Sequence, residues 1–87
     1  MSVEDKLLST LTSVVEALVD NERAINISIV KSGDTTLVFT VDVAKEDVGK
    51  LIGRQGRTAS SIRQIMIAAS AKLKVRSIIS IPDKRDQ

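Results

Sequence analysis

Cysteine and histidine are both absent from the chain. Without thiols there is no disulfide framework and no thiolate metal site. Without imidazole, histidine acid–base catalysis and histidine metal ligation are excluded as well, which removes most hydrolase and zinc-protein classes. No metal and no cofactor are expected. No apolar run approaches the ~20 residues needed to cross a bilayer, and the opening Met1-Ser2-Val3-Glu4-Asp5 is acidic where a secretory signal would be basic. The expectation is a cytoplasmic chain with no membrane partner. Its 87 residues suffice for one small domain, placed at residues 1–82, with a charged, frayed tail at 83–87.

Glycine is scarce too, and three of the four glycines, Gly49, Gly53 and Gly56, lie within eight residues of one another. Charge is just as unevenly spread. Residues 1–44 hold three Lys/Arg against seven Asp/Glu, a balance of −4, whereas residues 45–87 hold ten against four, a balance of +6. A basic half of this kind points to an anionic partner such as nucleic acid.

Ser2 can cap a helix whose first turn carries Glu4 and Asp5. Leu7, Leu11, Val14, Val15 and Leu18 then recur at spacings of three and four, which predicts a helix over residues 3–19. Ile25-Asn26-Ile27-Ser28-Ile29 alternates, and so does 36–43, with odd positions apolar in both and the turn signal Ser32-Gly33-Asp34 between them. That pattern predicts an antiparallel hairpin. A short helix from about Lys45 should bury Val48, Leu51 and Ile52. After a break at 53–56, a longer helix over 58–73 should bury Ile62, Ile65, Met66 and Ala69, with Ile67 off the stripe. Val75 to Ile81 reads as a last strand, too uniformly apolar for its facing to be read, and Pro82 ends it. About 30 residues separate the second and third strands, enough for a crossover and parallel pairing. The expected architecture is α+β in the order α-β-β-α-α-β: a three-stranded mixed sheet with three helices packed on one face.

The break Gly53-Arg54-Gln55-Gly56 carries the chemistry. Glycines let a backbone approach a ligand with no Cβ in the way. Bare amides at the start of a helix, under the positive end of its dipole, suit a phosphate. Arg54 and Gln55, held between two glycines on a tight turn, project outward, and Lys50 and Arg57 flank them. A plain helix connection with Gly53 as a left-handed cap explains the glycines without a ligand; the basic flanks favour a binding loop. Lys72, Lys74 and Arg76 form a second basic cluster, read as a solvated helix end with Arg76 bordering any groove beside the last strand.

Val48-Gly49-Lys50-Leu51-Ile52-Gly53-Arg54-Gln55-Gly56-Arg57 resembles the signature of the KH domain, V-G-x-I-I-G-x-x-G. The extra helix and strand ahead of the strand–helix–helix–strand core resemble the bacterial type II arrangement. Over nearly its whole length the chain is similar to the small single-domain bacterial KH proteins of the KhpA kind, with residues 47–63 carrying most of the likeness. That resemblance implies an RNA chaperone or post-transcriptional regulator. Single-stranded RNA would lie between the two central helices and the last strand, with the loop clamping about four nucleotides. It implies that the Gly53 and Gly56 amides approach the sugar-phosphate backbone while Arg54 and Gln55 reach phosphates and sugars. Val48, Gly49 and Ile52 would floor the groove, with Ile62 a further candidate and Gly49 kept clear for a base. Lys50, Arg57 and Arg63 would attract phosphates. Val48, Ile52 and Ile62 are also explained as core residues without any ligand. The resemblance further implies a homodimer, or a heterodimer with a larger KhpB-like KH-containing protein. RRM and OB-fold modules need aromatic platforms, and Phe39, the one aromatic here, has inward parity.

Two other classes stay open. Helices joined by a glycine-containing turn fit a helix-turn-helix DNA-binding module superficially. Exposed Ile67 and Ile78 would suit a protein-interaction or dimerisation module. An enzyme is not expected, nor a small-molecule substrate. Neither G-x-x-x-x-G-K-[ST] nor G-x-G-x-x-G is present, and no nucleophile sits beside a recognisable base.

Overall fold

The computed structural model describes residues 2–85. Met1, Asp86 and Gln87, assigned above to the ends of the domain and the tail, lie outside the described residues. Ser2 caps α1 (Val3–Leu18), its Oγ accepting from the Asp5 N–H at 3.1 Å, and Glu4 and Asp5 complement the helix dipole. Leu7, Leu11 and Val15 form its buried stripe. A single 3-10 turn, Glu22–Ala24, leads into β1 (Asn26–Ser32), which pairs antiparallel with β2 (Thr36–Asp42). Odd positions point inward as the alternation requires, and Leu37, Phe39 and Val41 are buried. β1 runs on to Ser32, three residues past the alternating stretch, because the turn occupies only residues 33–35.

The chain then forms α2 (Val48–Ile52), α3 (Arg57–Lys72) and β3 (Arg76–Ser80). β3 pairs parallel with β2, giving the sheet order β1-β2-β3. All three helices cover one face, and Leu7, Leu11, Phe39, Leu51 and Met66 meet in a single core. Each such side chain contributes about 1.5–3 kcal/mol by leaving water.

The last strand's facing is settled by a polar pair. Ser77 and Ile79 point inward and Ile78 outward. The Ser77 and Ser70 hydroxyls hydrogen-bond to each other in the interior, so neither is left unsatisfied. Three sequence expectations need correction, one of them Ala69, which is only partly buried. Ile65 is 47% exposed, because α3 buries Ala59, Ile62, Met66 and Ser70 instead. Ile65 lies at the rim of an apolar cleft against α1, with Val14, Ala17 and Leu18. Ile52 is only partly buried, since the chain leaves the core at Gly53.

Asp47 reads in the sequence as one more acid ahead of a helix, yet it is fully buried. Its Oδ1 accepts from the Asp20 N–H at 3.3 Å, its Oδ2 from the Asn21 N–H at 3.0 Å, and Lys50 Nζ donates to Oδ1 at 2.8 Å. The carboxylate thereby ties the start of α2 to the segment leaving α1. The Lys50 hydrogen bond, followed by that from Asn21, holds the Asp47 carboxyl below the ordinary carboxylate range, against the effect of burial. A group depressed in the folded state stabilises it above the unfolded pKa of about 3.9, and that contribution disappears as pH falls through the lower folded value. Asp47→Asn should lower the thermal midpoint at pH 7 by several degrees, with the deficit shrinking once the pH falls below the ordinary carboxylate range. A deficit that stays constant from neutral to strongly acidic pH would assign the effect to shape rather than charge.

Candidate nucleic-acid interface

α2 ends after five residues because Gly53 adopts φ 74° and ψ 174°, a region essentially closed to residues with a Cβ. Space forbids a side chain as well. A Cβ on Gly53 would collide with Thr58 Oγ1 and stand 2.7 Å from its Cβ and 2.8 Å from its backbone nitrogen. The bare backbone of Gly53 is therefore packed against the first turn of α3. Gln55 (φ 57°, ψ 26°) and Gly56 (φ 75°, ψ 13°) follow in left-handed conformations, and the Gly56 N–H closes the turn on the Gly53 carbonyl at 3.2 Å. A left-handed non-glycine residue costs about 1–2 kcal/mol, so Gln55 is held there by the glycines on both sides of its turn.

This geometry throws Arg54, Gln55 and Arg57 outward into solvent. Gln55 Oε1 accepts from Arg57 Nη2 at 3.4 Å. No side chain caps the N-terminus of α3, where the Arg57 N–H donates to the Arg54 carbonyl, and the positive end of the helix dipole lies beside the loop, where it favours an anion. Gly49, Ile52 and Gly53, at spacings of three and four, form one partly exposed face of α2 leading into the loop. Val48 and Ile62 are enclosed in the core at 1% and 2% exposure, so the surface here is made by Gly49 and Ile52.

The two remaining cations on the sequence-derived site are already engaged. Lys50 Nζ lies between Asp47 at 2.8 Å and Asp20 at 3.2 Å, and these carboxylates, Asp47 first, raise its pKa. Arg63 Nε donates to the Ile79 carbonyl at 3.1 Å on the outer edge of β3, which blunts an edge otherwise open to pairing. Arg63, Ile67, Arg76, Ile78 and Ile79 line a groove of about 340 Å3 between α3 and β3, so Arg76 does border it.

Two contacts involve the described residues of the tail. Lys84 Nζ pairs with Asp42 Oδ1 at 2.6 Å, and Arg85 forms a two-point ion pair with Asp83. No local signal foretells the first contact, which joins residues 42 positions apart. Among the described residues there is no group of His, Cys, Asp or Glu fit to hold a metal, and no helix long and apolar enough to cross a membrane.

The two loop glycines should respond differently to a methyl group. Gly56 has open space around it, so Gly56→Ala should cost about 1 kcal/mol, the left-handed φ alone. Gly53→Ala must also move Thr58 and should cost clearly more in urea unfolding. Equal losses at the two positions would contradict the packing of Gly53 on Thr58.

The KH-domain model for KhpA/KhpB matches residues 9–81. An RNA-binding protein KhpA from Caldanaerobacter subterraneus is 41% identical over 69 residues, covering 79% of this chain and 91% of that protein. The RNA-binding protein KhpA of Chlamydia pneumoniae is 32% identical over 75 residues, covering 86% and 95%. That of Listeria monocytogenes is 39% identical over 62 residues, covering 71% and 80%. No solved structure matches the chain with significance. The family match takes in the hairpin, the glycine loop, both helices around it and the last strand, and the chain belongs to the KhpA/KhpB family of KH domains.

Proposed function

We propose that the chain binds single-stranded RNA through the Gly53–Gly56 loop and acts in the cytoplasm as an RNA chaperone or post-transcriptional regulator. The observation that carries this reading is the loop itself: a bare backbone turn with Arg54, Gln55 and Arg57 facing out beside an uncapped helix N-terminus. The relatives' description as RNA-binding proteins supports the choice of ligand. In this reading the Gly53 and Gly56 backbone lies against the sugar-phosphate chain, Arg54 and Gln55 grip it, and Arg57 adds charge. Gly49 and Ile52 offer the surface beneath the bases, with Val48 supporting it from the core. Lys50 and Arg63 act at the margin, their head groups shared with Asp20, Asp47 and the Ile79 carbonyl.

A helix-turn-helix reading is less well supported, since α2 is five residues long and the helix pair is flanked in sequence by strands of one mixed sheet. Self-association, or pairing with a KhpB-like protein, is supported by apolar residues left at the surface. Ile65 and Ile67 are exposed on α3, and Val30, Val38 and Ile78 align across the open face of the sheet. Sedimentation at micromolar concentration tests this part alone, a strict monomer removing the homodimer.

A few charged groups should dominate affinity, so binding weakens with salt. The double change Arg54→Asp/Gln55→Asp should lower affinity for a short single-stranded RNA by about tenfold or more. It should also flatten the salt dependence by roughly 0.7 for each phosphate that is no longer neutralised. Its thermal midpoint should stay near that of the parent chain. Unchanged RNA affinity, or a preference for duplex DNA over the RNA at two salt concentrations, would overturn the proposal.

A further inference from the structure

Arg85 stands beside the face of α2 that leads to the loop, and the fold itself puts it there. Parallel pairing brings the ends of β2 and β3 to one edge of the sheet, Thr40 beside Ser80. Pro82 ends the ladder, and Lys84 fastens the chain to Asp42 at 2.6 Å. Asp83 then grips the Arg85 guanidinium with a fork, Oδ1 to Nε at 2.9 Å and Oδ2 to Nη2 at 2.7 Å. The grip holds the Asp83 carboxyl down to about 2. Arg85 Nη1 comes within 3.3 Å of the point a Cβ on Gly49 would occupy. Gly49 lies one helical turn, about 6 Å, ahead of Gly53.

We propose that the guanidinium of Arg85 is a base-stacking platform at the α2 end of the RNA groove, and so a residue that sets base preference. The inference rests on the RNA-binding reading above. A guanidinium is planar and weakly hydrated, and it stacks on nucleobases as an aromatic ring does. Phe39 is buried and is the one aromatic in the chain, so no ring is available for that task. Asp83 engages one edge of the guanidinium, while the side chain remains 49% exposed. The carboxylate also offsets its charge, so a phosphate gains little from this cation while a flat base still does. Gly49 acquires a role here: a methyl at that position would crowd the guanidinium and displace it slightly.

Substituting lysine for Arg85 keeps the charge and removes the plane, which makes the test specific. Eight-nucleotide oligoadenylate and oligouridylate serve as probes, with Arg54→Asp/Gln55→Asp as the loop control. Arg85→Ala and Arg85→Lys should both weaken oligoadenylate binding by about tenfold and oligouridylate binding by less, narrowing the preference between them. Thermal midpoints should not move. If Arg85→Lys binds like the parent chain, Arg85 is a charge and not a platform. If Arg85→Ala binds as tightly or more tightly, it is a bystander or a cover, and the inference fails. Should the parent chain bind neither oligonucleotide, the RNA-binding reading falls and the platform with it. Should the loop control lose binding while both Arg85 variants retain it, only the platform falls.

Discussion

The contact between the bare backbone of Gly53 and Thr58 governs the shape of the site. It lets α2 stop and α3 begin within four residues, with the bare backbone of Gly53 pressed directly against Thr58. Given that closure, the two residues between the glycines have nowhere to go but outward. Gln55 accepts a left-handed conformation as a result. The start of α3, which has no side-chain cap, follows directly on this turn. A larger residue at 53 would do more than disturb the approach of a ligand; it would pry the two helices apart.

Around that contact, electrostatics decides which cations remain for a partner. The acidic N-terminal half and the basic C-terminal half are partly matched within the fold. Asp20 and Asp47 hold Lys50, and Asp42 holds Lys84. The imbalance visible along the chain is thus not spread evenly over the surface. Arg54 and Arg57, carried on and beside the loop, face solvent, whereas Lys50 is spent on fastening α2 to the end of α1. Asp47 therefore links fold to site. It steadies the helix whose termination creates the loop, and it neutralises the cation nearest to that helix's start.

Most of the architecture was legible because it rests on periodicity. Alternation at odd positions placed Leu37, Phe39 and Val41 inside, and the three-four spacing placed Leu7, Leu11 and Val15. The length of the crossover allowed the parallel pairing that occurs. What escaped were interactions between polar groups distant in sequence. Asp47 binds amides 26 and 27 residues away, Lys84 a carboxylate 42 away, and periodicity carries no trace of either. The facing of β3 was hidden because its inward Ser77 is made compatible with burial by Ser70 on α3. Ile65 was misplaced because a cleft between two helices exposes a residue that the three-four stripe assigns to the core. In the candidate site, the glycine spacing was readable and the prior commitments of Lys50 and Arg63 were not.

RNA binding at the loop is tested most directly by following backbone amide resonances of the full chain while a short single-stranded RNA is added. The largest shifts should fall on Gly53, Arg54, Gln55 and Gly56 and on the first turn of α3, and they should fade as salt is raised. Perturbations concentrated on the open face of the sheet or along α1, with the loop amides unmoved, would contradict a clamp built on Gly53 and Gly56.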